Sequence, residues 1–257
     1  MNYFVEGLQG SGKSTLVKRL SEKNPDYKAI CEGEYSPVEL AWCAYVNKET
    51  YEEVLKKYND ISDEIKEKSF AEDDHMIICY TKILTDIAGF HKDLEQYEIY
   101  NGRQEFEAFK DIVFRRFRNW DGDKYIFECS IFQNIFEDMI LYRNMSDQEI
   151  IDFYKELADI IKDKDFRILY LKTENISESI GVIRKERSDE HGNEMWFPLM
   201  TQYFDESPYA KSNGVSGVEE LFQHFAHRQE LELRICREFF GDKVTVLESK
   251  GYSDDEF

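Results

Sequence analysis

The stretch Gly7-Leu8-Gln9-Gly10-Ser11-Gly12-Lys13-Ser14 decides the reading of this chain. It satisfies G-x-x-x-x-G-K-[ST] at every fixed position. Before it, Tyr3, Phe4 and Val5 form a short apolar strand, and after it Leu16, Val17 and Leu20 fall on one helical face. A strand, a glycine turn and a helix start let consecutive backbone N–H groups curl around a phosphate, with the positive end of the helix dipole behind them. This chemistry assigns Gly7, Gly10, Ser11, Gly12, Lys13, Ser14 and Thr15 to binding ATP. Lys13 reaches the β and γ oxygens and the Ser14 hydroxyl coordinates Mg²⁺. A glycine turn that merely caps a helix would not need all four fixed positions in this setting.

Working outward, a second strand fits residues 27–31, after the turn-like Asn24-Pro25-Asp26. Residues 38–117 are mostly helix-patterned, with a heavily charged section at 52–68 and more apolar helices near 77–87 and 106–117. Further strands are expected at 124–128, 167–172 and 243–247, with helices at 147–161 and 218–240 between them. Alternation of this kind predicts an α/β three-layer P-loop fold: a five-stranded parallel sheet flanked by helices, with a large helical insertion after the second strand. No Pro-, Gly- or Ser-rich linker divides the chain, so residues 1–257 are expected to form a single domain with a helical lid at about 180–200.

The net charge of −20, from 53 acidic and 33 basic side chains, argues against a nucleic-acid polymer as partner. A small phosphorylated ligand remains compatible, because local cations and backbone N–H groups act at short range. The five cysteines form no C-x-x-C pair, so neither a disulfide framework nor a zinc site is expected. Residues 1–6 carry no basic signal-peptide start, and no run of about 18 apolar residues is present to span a membrane. The expectation is a cytoplasmic protein without a membrane partner, with a homodimer left open.

A GTPase reading fails on order and content. Asp86-Ile87-Ala88-Gly89 and Asn47-Lys48-Glu49-Thr50 imitate the two GTPase signatures, but the second lacks its Asp, precedes the first, and both lie in helix-patterned sequence. At the third strand, Tyr125-Ile126-Phe127-Glu128 puts a carboxylate at the carboxyl end of an apolar run, where a second Mg²⁺ anchor belongs. The segment Phe127-Glu128-Cys129-Ser130-Ile131-Phe132-Gln133-Asn134 resembles the F-E-R-S-x-x-x-D segment of deoxynucleoside kinases, relatives of thymidylate kinases. The resemblance implies a Mg²⁺-assisting role for Glu128 and a place for Asn134 in acceptor binding. Cys129 stands where that family has Arg, and Asn134 where it has Asp.

Glu32-Gly33-Glu34-Tyr35-Ser36-Pro37-Val38 is similar to the family's strand-end Glu-Pro-Val segment, whose Glu takes the proton of the attacking hydroxyl. Glu34 is the preferred base and Glu32 the reserve, also available for acceptor binding. Residues 183–188, with Arg184 and Arg187 at i and i+3, resemble the family's R-x-x-R lid, which implies that both guanidiniums stabilise charge on the transferring phosphoryl. Arg103, after Asn101-Gly102, is a further candidate for the acceptor, and so is the basic cluster Arg115-Arg116-Phe117-Arg118. The function that follows is an ATP-dependent kinase of a small-molecule phosphate acceptor, a (deoxy)nucleoside or nucleoside monophosphate. Two alternatives stay open: a kinase of a non-nucleoside such as an antibiotic, and a nucleotide-binding regulator without turnover.

Overall fold

The computed structural model describes residues 1–189, 191, 193–194 and 196–257. Along the chain its strands are β1 (Asn2–Gly7), β2 (Lys28–Ile30), β3 (Ala44–Asn47), β4 (Ser69–Glu72), β5 (His75–Ile78), β6 (Tyr125–Glu128), β7 (Phe166–Lys172) and β8 (Val244–Glu248). The helices are α1 (Lys13–Lys23), α2 (Lys48–Lys57), α3 (Ser62–Glu67), α4 (Phe90–Glu95), α5 (Phe106–Asn119) and α6 (Gln133–Glu137). They continue with α7 (Asp147–Ile161), α8 (Ile176–Glu186), α9 (Trp196–Glu206), α10 (Pro208–Asn213) and α11 (Val218–Ile235). The chain groups into two compact units, residues 1–29 with 121–257, and residues 30–120.

The first unit is built on a five-stranded parallel sheet of order β2-β6-β1-β7-β8, flanked by helices. β1 lies at its centre, paired with β6 and β7. Its connection leads to one side of the sheet, whereas the chain leaving β6 reaches β7 on the other, the arrangement that opens a crevice at the carboxyl ends of the strands. Register does the positioning: Val5 lies opposite Glu128, so the acid ending β6 stands beside the start of the glycine loop. α1 packs on β6 through a face that includes Leu16, Val17 and Leu20, the residues the periodicity picks out. Ser146 and Glu149 form a capping box that starts α7, whose buried face carries Ile150, Phe153, Tyr154, Leu157 and Ile161. All five expected strands are present within one or two residues of their expected bounds, and the helix expected at 218–240 is α11 followed by a π-helical turn at Cys236–Phe240.

The second unit is less helical than its pattern implies. It contains a three-stranded antiparallel sheet of order β3-β5-β4 besides α2 to α5. The apolar run expected as a helix at 77–87 is instead the end of β5, a 3₁₀ turn at Tyr80–Lys82 and a loop. Local chemistry explains the difference. Glu72 pairs with His75, so Asp73-Asp74 is a two-residue hairpin turn, and Asp73 adopts a φ of 52°, a left-handed conformation that Asp tolerates. Ile77 and Ile78, β-branched and fully buried, then favour the strand. The GTPase-like tetrads also resolve: Asn47 caps α2 by accepting from the Thr50 N–H at 2.8 Å, while Asp86 to Gly89 is the loop that ends in the N-cap of α4 rather than a helix.

The core of this unit joins Val46 and Ile78 of the sheet to Tyr51, Val54, Ile65, Phe90 and Leu94 of the helices. At its polar side Glu39 is buried and accepts from the Ala41 N–H at 2.6 Å. Burial pushes its carboxyl up to about 8, outweighing the hydrogen bonds from Tyr100 and Ala41. The folded chain therefore keeps a proton here that the unfolded chain releases near pH 4.5, and this contribution to stability is lost as pH rises through 8. The loss of unfolding free energy between pH 5 and 8, measured by urea denaturation, is expected to be smaller in Glu39→Gln than in the unaltered chain by about 1.4 kcal/mol or more.

Candidate active site

Backbone conformation shapes the glycine loop first. Gly7, Gly10 and Gly12 have φ values of 136°, 81° and 95°, which side-chain-bearing residues rarely adopt. A Cβ on Gly7 would also stand 2.6 Å from the Leu171 carbonyl oxygen of β7. The loop closes with the Ser11 N–H donating to the Leu8 carbonyl at 3.2 Å, and the helix begins with the Leu16 N–H donating to Gly12 at 3.1 Å. The amides of Lys13, Ser14 and Thr15, in the first turn of α1, therefore have no intrahelical acceptor, and the Gly12 cap supplies no side chain to take them. These are the groups that an anion at this helix end would use.

The Lys13 side chain is buried, its ammonium donating to the carbonyls of Gly7 at 2.9 Å and Leu8 at 2.8 Å. Two donors fixed in this way hold the charge over the loop, with the third proton unspent on either carbonyl. The Ser14 hydroxyl donates to Glu128 Oε1 at 2.5 Å, so the two expected Mg²⁺ ligands meet. No group of three or more metal-ligating side chains occurs among the described residues. One hydroxyl and one carboxylate nevertheless fit Mg²⁺, a hard cation that commonly retains several waters and takes few protein oxygens.

Supports for the loop come from distant parts of the sequence. The Ser179 hydroxyl of α8 donates to the Gly10 carbonyl at 3.1 Å, and the Ser249 hydroxyl, just beyond β8, donates to the Ser11 carbonyl at 2.8 Å. Gln9 donates to Glu137 at 3.3 Å. Glu137 in turn meets His224 Nε2 at 2.9 Å and is bonded by the Arg228 guanidinium, both from α11. Burial alone would raise the Glu137 carboxyl, but the charges of His224 and Arg228 reverse this and bring it down to about 2. Arg228 also pairs with Glu232 at 3.0 Å, and Tyr170 donates to the same carboxylate at 2.5 Å. On β1, Glu6 is fully buried and accepts from the N–H groups of Ile131 at 2.7 Å and Phe132 at 3.3 Å, tying the strand under the loop to the segment that follows Glu128. Burial pushes the Glu6 carboxyl up to about 8.

These supporting residues escaped the sequence reading. Glu6 carried the one available signal, an acid in an apolar strand directly before Gly7. Glu137, Arg228 and Glu232 are charged residues on amphipathic helices, and nothing in their spacing marks them as buried.

The remaining candidates are engaged locally. Glu34 is exposed and its carboxylate accepts from the Cys31 N–H at 2.9 Å, while Glu32 is half-buried in the same turn. Arg103 donates to Glu98 at 3.0 Å and to Glu95. Arg116 is buried against Glu72 and the Ser36 carbonyl, and Arg115 reaches the Tyr45 hydroxyl at 2.9 Å. Asn134 is half-buried in α6.

In the lid segment, Arg184 makes two hydrogen bonds to Glu194, at 3.0 and 2.8 Å, and lies over the Phe197 ring, while Arg187 lies over Trp196. Ser188 and Glu194 form an isolated antiparallel bridge between α8 and α9, and residues 190, 192 and 195 of the expected lid lie outside the described ones. Among the described residues no helix is long and apolar enough to cross a membrane.

No family model and no curated protein matches this sequence. Among solved structures, the chain matches the deoxyadenosine kinase from M. mycoides with bound dATP at 13% identity and a TM-score of 0.38, over 100% of this chain and 95% of that one. The assignment of a three-layer α/β fold with a glycine loop after its central strand stands on the strand order and loop geometry.

Removing Glu137 tests the buried support. Glu137→Ala leaves the Arg228 guanidinium without one of its two carboxylates in a site closed to water, and is expected to cost about 3–5 kcal/mol in urea denaturation. Gln9→Ala, which removes only the half-buried, uncharged end of the same chain of contacts, is expected to cost about 1 kcal/mol.

Proposed function

We propose that the chain is an ATP-dependent phosphotransferase that moves a phosphoryl group to a small-molecule acceptor, a (deoxy)nucleoside or nucleoside monophosphate. The observation that carries this reading is the meeting of Ser14 and Glu128 at 2.5 Å beside a buried Lys13 ammonium on a glycine loop. A loop that served only to cap a helix has no need of either feature.

In this reading the first-turn amides of α1 and the Lys13 ammonium bind the phosphate chain of ATP and keep its charge fixed before reaction. Ser14 and Glu128 would hold Mg²⁺, which when bound neutralises charge on the phosphate oxygens. The acceptor oxygen bonds to the γ-phosphorus as the bond to the β-phosphate oxygen breaks, and ADP leaves. Glu34, with Glu32 in reserve, is proposed to take the proton of the acceptor. Arg184 and Arg187 are proposed to stabilise the transferring group, which requires Arg184 to exchange Glu194 for phosphate oxygens. Arg103 and Asn134 are proposed to contact the acceptor.

The nucleoside class rests on the resemblance of residues 127–134. One observation favours the non-nucleoside alternative: Cys129, at the position of that family's Arg, is buried and directs its thiol to Gln133 at 3.6 Å, so this position offers no guanidinium to an acceptor.

ADP release measured over a panel of acceptors tests the reading. Stimulation by deoxynucleosides or nucleoside monophosphates is expected. Stimulation only by another alcohol would favour the non-nucleoside kinase, and ATP binding with no acceptor-dependent turnover would overturn the enzyme reading. Lys13→Ala is expected to lower turnover on the order of a hundredfold or more. Glu128→Gln is expected to raise the Mg²⁺ concentration needed for half-maximal rate about tenfold, with ATP binding in the absence of metal unchanged.

A further inference from the structure

Cys43 and Cys79 face each other inside the second unit, with their sulfurs 3.7 Å apart. Their placement follows from the sheet. β3 and β5 pair antiparallel with Ala44 opposite Ile78, and Cys43 and Cys79 each lie one residue beyond that last pair of the ladder. Directly opposed residues in an antiparallel ladder have Cα atoms about 4.5–5.5 Å apart, within the range of about 4.4–6.8 Å that a disulfide spans. Neither strand has to slide for a bond to form.

The pair also touches the turn that carries Glu34. The Cys43 thiol lies 3.7 Å from the Gly33 carbonyl and 3.9 Å from that of Glu34. The turn itself is tight. Gly33 has a φ of 80°, and a Cβ there would stand 2.6 Å from the Thr81 hydroxyl, two residues beyond Cys79. Both thiols belong to the free cysteines of the chain.

We propose that Cys43 and Cys79 form a reversible dithiol–disulfide site, oxidised by a peroxide, and that bridging them releases the Cys43 thiol from the Gly33–Glu34 turn and loosens it. Cys79 is the attacking sulfur. The hydrogen bond from Cys43 lowers its pKa and raises that of Cys43, so the thiolate forms on Cys79. The thiolate attacks one peroxide oxygen, the O–O bond breaks, and hydroxide leaves with a proton from the medium as water, giving a sulfenic acid. The Cys43 sulfur then displaces the sulfenic oxygen as a second water, and the Cys43 proton goes with it. Two thiols and one hydrogen peroxide thus become one disulfide and two waters. Both residues are almost wholly buried, at 0% and 2% exposure, so the oxidant must be as small as hydrogen peroxide, and a protein thiol is excluded.

The inference does not rest on the phosphotransfer reading, and its measurements are chosen to be independent of turnover. The folded chain is treated with hydrogen peroxide, free thiols are alkylated after denaturation, and digested peptides are mapped by mass spectrometry. The expected result is a product two hydrogens lighter in which the peptides holding Cys43 and Cys79 are joined, restored by dithiothreitol and absent in Cys43→Ser. In the bridged protein, amide exchange of the peptide covering residues 31–35 is expected to be faster than in the reduced protein. Recovery of Cys43 and Cys79 as free thiols after half-buried Cys31 has been oxidised, or a link to any other cysteine, would overturn the site. A bridge that leaves exchange at 31–35 unchanged would overturn its effect on the turn. If Cys43→Ser fails to fold, Cys79→Ala serves as the unbridged control.

Discussion

A buried ammonium must have its donors met, and Lys13 meets two of them on the carbonyls of Gly7 and Leu8. That requirement organises the glycine loop. Those carbonyls can turn inward to the ammonium only if Gly7 takes a conformation other residues avoid, and Gly7 can lie that close to β7 only because it lacks a Cβ. The β1–β6 register then sets Glu128 beside Ser14. The proposed anion site is thus a consequence of strand pairing and of glycine placement, with side-chain chemistry contributed at few positions.

Charge is managed beneath this loop in an unusual way for so acidic a chain. Glu6, Glu137 and Glu232 are among the carboxylates buried in the first unit, and the Arg228 guanidinium is buried with them. Glu137 is the ionised member, because Arg228 and His224 flank it, whereas burial raises the carboxyls of Glu6 and Glu232. A protonated Glu6 still accepts backbone N–H bonds from the segment after Glu128 while adding no negative charge near the glycine loop. The acidic balance of the sequence therefore gives little guidance to the potential at the loop itself.

The parallel sheet was legible because each of its strands is a short apolar run between turn signals, and the loop because its glycines serve backbone shape directly. Ser14 and Glu128 were legible as a pair for the same reason: one follows the loop and the other ends a strand. What stayed hidden depends on tertiary proximity. Glu137 and Arg228 are 91 positions apart and meet through the packing of two helical segments. The antiparallel sheet of the second unit was obscured by the charged, helix-like composition around it, with β4 contributing Phe70 and Ala71 as exposed residues that carry no burial pattern. Arg184 was read as a cation for phosphate, and its two bonds to Glu194 lie ten residues along, beyond any helical neighbour rule.

The hydroxyl of Ser249 against the Ser11 carbonyl has a consequence for how the site is made. The loop is synthesised before every one of its braces: Glu128, Ser179, Arg228 and finally Ser249. During synthesis the glycine segment must wait, incompletely braced, until the residues that follow β8 have emerged. Nucleotide binding of the kind proposed here is therefore a property that depends on β8 being in place.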